Sequence, residues 1–219
     1  GDGSELYGYV SVGKTDCEAM VGQLALRGYK CRVYKPSAQH RCYSLGVRGP
    51  DGVFIDQYLS TIGLGGGAGK RIPTQYMRAS MAQRTELLRG LCDTDGCLAG
   101  KYKRAVQFCS VDSALANQVA ELARSLGHKV RIRFKPNEGR GSWNVLFSIY
   151  EGSEAFALPR KVSLPVKDAP TRVNETSFRF VRNILPVESV PVRCIGVDAV
   201  DHLFLAGTGL VPTHNTDMA

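Results

Sequence analysis

No Cys-x-x-Cys pair occurs in this sequence, and its seven cysteines, Cys17, Cys31, Cys42, Cys92, Cys97, Cys109 and Cys194, are odd in number. A secreted disulfide scaffold is therefore not expected, and a reduced, intracellular, cytoplasmic protein is. Histidine is scarce, with only His40, His128, His202 and His214, and none stands at zinc-ligand spacing from a cysteine. No run of eighteen apolar residues and no signal-peptide pattern is present, so neither membrane insertion nor secretion is expected. A phosphate-binding loop is missing too. Leu64-Gly-Gly-Gly-Ala-Gly-Lys70 has leucine where the first glycine is needed and Arg71 where Ser or Thr is needed, so it reads as a flexible loop before a helix.

Acidic residues are the minority charge: 28 Lys and Arg stand against 20 Asp and Glu, a formal net charge of +8 with a pI near 9.2. Lys101 to Lys135 alone holds eight Lys or Arg against Asp112 and Glu121. Such density suits phosphate contacts and a β-ribbon in the major groove of double-stranded DNA. Lys103, Gln107, Arg131 and Arg133 are the candidate DNA contacts. At 219 residues the chain can bury a substantial core, and two unequal domains are plausible.

The chain repeats itself at an offset of 99 residues. Ser11-Val12, a helical stretch, Gly28 and Lys30-x-Arg32-x-x-Lys35-Pro36 recur as Ser110-Val111, a helical stretch, Gly127 and Lys129-x-Arg131-x-x-x-Lys135-Pro136. In the second copy Leu115, Val119, Leu122 and Leu126 share one helical face, with Asp112 as the cap. Val130, Ile132 and Phe134 alternate with Lys129, Arg131, Arg133 and Lys135, as in a strand with one basic face. Each unit reads as helix, strand pair, helix, strand pair.

Leu88-Arg-Gly-Leu-Cys-Asp-Thr-Asp-Gly96 resembles the nine-residue signature of LAGLIDADG homing endonucleases, departing at Arg89 and Cys92. The resemblance implies two such helices packed side by side, with Gly90 permitting close approach and Asp95 presented at the helix end. A carboxylate at a helix C-terminus is electrostatically unfavourable alone, so a divalent cation there is a natural compensation. By the repeat, Gly1-Asp2-Gly3-Ser4 is the tail of the first signature helix, and Asp2 is the partner of Asp95. The pair would hold Mg2+ for phosphodiester hydrolysis. Gly69-Lys-Arg-Ile-Pro73 resembles the family block that carries a lysine, which points to Lys70; Arg160-Lys161 occupies the matching place and points to Lys161.

At the other end, Cys194-Ile-x-Val-Asp, His202-Leu-Phe-Leu-Ala and Pro212-Thr-His-Asn-Thr216 together resemble the C-terminal splicing blocks of inteins. The amide of Asn215 can attack its own carbonyl to form a succinimide, an intramolecular reaction of high effective concentration. His214 can donate or relay a proton, and the Thr216 hydroxyl can accept an acyl group. His202 stands where many inteins place a histidine that helps the cyclisation. Val192 to Ala206 reads as two strands interrupted at Asp198 to His202.

Cys194 with Thr216 is similar to class 3 inteins, whose third diagnostic member is a tryptophan of an N-terminal block; Trp143 is not that residue. The resemblance implies that the Cys194 thiolate attacks the upstream junction to give a branched thioester, and the acyl group then passes to Thr216. Asn215 cyclisation frees the intein, and an oxygen-to-nitrogen shift restores the peptide bond. Splicing itself needs no cofactor. The partners implied are DNA, a missing N-terminal intein portion and a host protein. Thr216-Asp-Met-Ala219 is compatible with a host P-loop ATPase such as a helicase or terminase. Without the N-terminal block the chain alone is not expected to splice.

The expected fold class is α+β: a pseudo-symmetric LAGLIDADG-type endonuclease region, truncated at its first motif, plus C-terminal strands of an all-β Hint splicing domain. The expected boundaries are 1–160 for the nuclease, 161–175 for a linker, 176–215 for the splicing segment and 216–219 for host residues. A splicing-only element with an inactive nuclease, and a DNA-binding module without chemistry, are the alternatives.

Overall fold

The computed structural model describes residues 9–35, 42–64, 70–100, 104–136, 139, 141–149, 151–163, 181–191, 193 and 195–214. Its order is β1 (Tyr9–Gly13), α1 (Cys17–Leu26), β2 (Lys30–Tyr34), β3 (Cys42–Arg48), α2 (Ile55–Thr61), α3 (Thr74–Met77), α4 (Met81–Asp95), β4 (Gly96–Ala99), β5 (Ala105–Ser110), α5 (Ser113–Ser125), β6 (Val130–Lys135), β7 (Ser142–Ser148), α6 (Pro159–Val162), β8 (Leu203–Ala206) and β9 (Val211–His214). The second unit runs α4, β4, β5, α5, β6, β7, the sequence of elements that the repeat implies.

The repeat is real in three dimensions. One antiparallel sheet has the order β1-β3-β2 and the other β4-β5-β7-β6, so β1, β3 and β2 correspond to β5, β7 and β6. The helices that follow β1 and β5 end alike. Gly28 (φ 81) and Gly127 (φ 91) turn left-handed. The N–H of Tyr29 bonds the Leu24 carbonyl at 3.0 Å and that of Gly28 bonds Ala25 at 2.9 Å; His128 to Ala123 (3.1 Å) and Gly127 to Arg124 (2.9 Å) repeat the motif. This Schellman closure satisfies carbonyls that a helix end otherwise leaves open.

In the larger core, α5 buries Leu115, Ala116, Val119, Ala120, Leu122 and Ala123 against Val106 and Phe108 of β5 and Val145 and Phe147 of β7. Asp112 caps α5, accepting from the N–H groups of Ala114 (2.7 Å) and Leu115 (3.3 Å). Leu126 packs half-buried at the edge of the same core. The first unit has a smaller core of Val12, Cys17, Leu45 and Val47. Ser80 opens α4 with a capping box: its Oγ accepts from the Gln83 N–H at 3.3 Å while Gln83 Oε1 accepts from the Ser80 N–H at 3.2 Å.

Two expectations are corrected. The proposed boundary at 160 cuts through α6, whose Lys161 is buried against α4, so the first unit pair extends through Val162. Of the two strands expected in Val192–Ala206, the second forms as β8 and the first does not among the described residues. Among described residues no strand forms at 193–197; β8 pairs with β9, with Leu203 opposite His214 and Ala206 opposite Val211. The Gly-Thr-Gly-Leu210 turn that joins them includes left-handed Gly207 and Leu210, a geometry that favours a short two-stranded ribbon here.

We expect Gly28→Ala and Gly127→Ala each to lower unfolding stability by roughly 1–2 kcal/mol, the cost of a side chain in the left-handed region. Urea denaturation followed by circular dichroism measures both, and near-equal losses would reflect their equivalent places.

Candidate nuclease centre and nucleic-acid interface

The signature segment Leu88–Gly96 forms the C-terminal half of α4 and its exit into β4. Its side chains divide by the 3.6-residue period: Leu88 and Cys92 are fully buried, Leu91 packs half-buried against the same core, and Asp95 is exposed at the last turn. Gly96 cannot be replaced in place, because a Cβ there would lie 2.6 Å from the Cys92 carbonyl oxygen. Burial pushes the Cys92 thiol up to about 12, so it is a protonated core residue at neutral pH.

Asp95 shares a cavity of about 500 Å³ with Lys70. Leu59, Ile62, Leu87 and Leu91 supply apolar walls, and Arg71 and Thr94 stand with the two charged groups. The Thr94 hydroxyl donates to the Leu91 carbonyl at 2.9 Å and more weakly to the Asp95 carboxylate at 3.3 Å, so among the described residues that carboxylate keeps acceptor sites open. Asp2, the expected partner, lies outside the described residues. Among the described residues no group of three or more His, Cys, Asp or Glu side chains converges. An exposed carboxylate such as Asp95 is a hard oxygen donor of the kind that suits Mg2+.

Lys161 is not a lysine poised at this centre, contrary to the sequence reading. It is 7% exposed, and its ammonium donates to the carbonyls of Cys92 (2.9 Å), Asp93 (2.7 Å) and Gly96 (2.8 Å). These are carbonyls at the end of α4, where the helix dipole favours a cation. Burial pulls the Lys161 pKa down, while three carbonyl acceptors call for the three N–H groups of the charged form. Asp93 completes the clasp in reverse: its Oδ2 accepts from the N–H groups of Ala157 and Leu158, both at 3.1 Å. Burial raises the Asp93 carboxyl, with those two bonds opposing the shift.

Arg160, the neighbouring residue, reaches the other unit. Its Nε donates to both Asp16 oxygens, at 2.6 and 2.9 Å. Gln23 adds a bond to the Ala157 carbonyl at 3.1 Å, and Arg27 pairs with Glu86 at 3.2 Å. Between the units lies a groove of about 570 Å³ lined by residues including Val12, Met20, Leu24, Gly90 and Asp93. A Cβ on Gly90 would meet nothing within 4 Å.

The outer face of the larger sheet is polar and basic. Directly opposed residues share a face, so the register puts Arg131, Leu146, Gln107 and Cys97 in one row and Arg133, Asn144 and Cys109 in the next. Arg131 and Arg133 are exposed; Gln107 Nε2 donates to Asn144 Oδ1 at 2.8 Å, and the Cys109 thiol donates to the same oxygen at 2.9 Å. Thus Gln107, Arg131 and Arg133 come together, whereas Lys103 lies outside the described residues. Sequence reasoning missed Asn144, although the alternation along Ser142–Ser148 could have placed it on the basic face. It also missed the outer face of the first sheet, where Tyr9 and Tyr34 meet edge-on at 5.2 Å and Arg32 lies over the Tyr34 ring.

In the C-terminal ribbon, His202 and His214 have ring centroids 6.1 Å apart. His202 adopts φ 51, an uncommon left-handed conformation for a non-glycine residue. Cys194, Asn215 and Thr216 lie outside the described residues. Trp143 sits on β7 against Phe134, with centroids 5.1 Å apart.

Residues 82–158 match the LAGLIDADG-like domain family. The replicative DNA helicase DnaB of Mycobacterium intracellulare is 41% identical over 163 residues, which make up 73% of this chain and 28% of that protein. DnaB of Mycobacterium leprae (strain TN) is 53% identical over 38 residues, 17% of this chain and 6% of that protein. The chain therefore spans well under a third of the length of these curated relatives. Among solved structures, variants of the homing endonuclease I-DmoI align with a TM-score of 0.41 and 13% identity, covering 64% of this chain and 72% of theirs. I-DmoI with DNA and calcium aligns with a TM-score of 0.44 and 13% identity, covering 70% and 79%. The family match is thus confined to residues 82–158, which lie within a mixed α+β fold.

Lys161→Met should cost roughly 3–5 kcal/mol, because it strands buried carbonyls at the end of α4. Chemical denaturation would register this loss, and a change under about 1 kcal/mol would refute the clasp as a main support.

Proposed function

We propose that this chain is part of a protein-splicing element that carries a LAGLIDADG-type DNA homing endonuclease and acts in the cytoplasm. The observation that carries the nuclease reading is Asp95, displayed by the signature helix into the cavity that also receives Lys70. In this reading Asp95 and Asp2 hold Mg2+, which when bound lowers the pKa of water and neutralises charge on the scissile phosphate. Lys70, exposed at the same cavity, stabilises the charge that develops on the phosphate oxygens. Arg131, Arg133, Lys103 and Gln107 bind double-stranded DNA, the arginines offering bidentate contacts to guanine or phosphate and the glutamine amide suiting adenine.

Splicing is the second activity of the proposal. It would use Cys194 as the nucleophile that takes the upstream acyl group, Thr216 as the hydroxyl that receives it, and Asn215 as the amide that releases the chain. His214 ends the β9 strand immediately before Asn215, and His202 stands near it across the ribbon. One of these imidazoles protonates the departing amine while the other polarises the Asn215 carbonyl. An N-terminal intein portion would supply the rest of the splicing fold.

The helicase relatives bear on the host. An alignment of 163 residues in a chain of 219 cannot avoid the LAGLIDADG-like segment at 82–158. A domain of that kind inside a helicase polypeptide is what an inserted element would give. The host protein is therefore proposed to be a replicative helicase, a P-loop ATPase, with residues 216–219 belonging to it.

With Mg2+ and plasmid DNA, Asp95→Asn should reduce nicking or cleavage by at least about a hundredfold while gel-shift affinity changes little. Equal cleavage by parent and variant would sink the nuclease reading, and absent cleavage with retained binding would favour a DNA-binding module. For splicing, addition of an N-terminal intein portion should release a succinimide-ended fragment in the parent and none in Asn215→Ala, as read by mass spectrometry. An intact Asn215–Thr216 bond in the completed parent would reject it.

A further inference from the structure

Lys70 does not sit on a helix or a strand. An irregular segment needs some other means of holding a functional side chain in place, because its backbone groups have no ladder partners. Two residues on, Ile72 is pinned in three ways. Its side chain is 5% exposed and packs in the large core with Leu88, Cys92 and Leu115. Its N–H donates to Gln118 Oε1 at 2.8 Å, and its carbonyl accepts from Gln118 Nε2 at 3.0 Å.

We propose that Gln118 is a positioning residue for the nuclease centre, its side-chain amide acting as a one-residue strand partner that fixes Lys70 opposite Asp95. This rests on the nuclease reading above. Gln118 projects from α5, in the second unit, and lies 46 residues from Ile72 in sequence. Its neighbours Val119 and Leu115 are core residues of the same helix, so the amide is carried on a rigid element. Pro73 follows as the residue before α3, with φ near −59, so the segment is held on that side too. The two bonds fix the direction in which residues 70 and 71 leave Ile72. That direction brings both Lys70 and Arg71 to the cavity wall with Asp95.

A glutamine suits this task for a simple reason. Its terminal amide offers one acceptor and two donors in a plane, matching the N–H and C=O of a single residue. Leucine fills a similar volume but offers neither. Glutamate keeps an acceptor for the Ile72 N–H and turns a repelling oxygen toward the Ile72 carbonyl. A displacement of about 1 Å at a catalytic group costs on the order of a hundredfold in rate without weakening ground-state binding.

The test compares parent, Gln118→Leu, Gln118→Glu, Lys70→Met and the Gln118→Leu/Lys70→Met double variant on supercoiled plasmid in Mg2+. Gln118→Leu should nick at least about tenfold more slowly with plasmid affinity within about twofold, and the double variant should be no slower than Lys70→Met alone. Fully additive losses, or a loss of affinity equal to the loss of rate, would overturn the proposal. A readout without DNA separates this outcome from failure of the nuclease reading. Carbodiimide should couple Lys70 to Asp95 in the parent, as seen by peptide mass spectrometry, with the yield falling at least about fivefold in Gln118→Leu and Gln118→Glu. Unfolding curves identify any variant that does not fold, and Gln118→Glu supplies the result if Gln118→Leu fails. An unchanged cross-link in a folded Gln118 variant rejects the positioning role even if the plasmid is never cut.

Discussion

The end of α4 is the point on which the arrangement depends, and it is closed by a reciprocal clasp. The Lys161 ammonium takes the carbonyls of Cys92, Asp93 and Gly96, while the Asp93 carboxylate takes the N–H groups of Ala157 and Leu158. A helix that ended in open carbonyls beside a carboxylate would be penalised twice, once by unsatisfied acceptors and once by its dipole. The clasp removes both penalties with one cation. It leaves Asp95, two residues beyond Asp93, exposed at the cavity that also holds Lys70. A chain segment 65 to 69 residues downstream thus sets where Asp95 stands.

Charge is distributed to match. The face of the larger sheet turned from its core carries Arg131 and Arg133 beside an amide and thiol cluster of Gln107, Asn144 and Cys109. The corresponding face of the first sheet carries Tyr9, Tyr34 and Arg32 above Gly46. A Cβ at Gly46 would come within 3.3 Å of the Tyr34 ring, so that glycine makes room for the aromatic pair. The two sheets share strand order yet differ in surface chemistry.

Much of this was legible in the sequence because it rests on local pattern. The Gly28 and Gly127 closures, the Asp112 cap and the apolar face of α5 all follow from short-range chemistry, and the 99-residue repeat tied them into two units. The basic strand was equally readable from the alternation of Arg131 and Arg133 with Val130 and Ile132. What escaped depends on distant contacts. Lys161 read as a catalytic lysine because its spacing from Asp95 resembled that of Lys70 from Asp2, and spacing does not reveal three carbonyls waiting for it. Gln118 gave no signal, since its partners are backbone atoms 46 residues away. Among the described residues of 192–197 the expected strand does not form, because apolar content marks extended chain without naming a neighbour to pair with; β8 found one in β9.

Arg160 and Lys161 are consecutive, yet one grips Asp16 in the first unit and the other grips the end of α4. Both hang from a single helical turn that ends at Val162. One helical turn thereby governs both the coupling of the two units and the placement of Asp95.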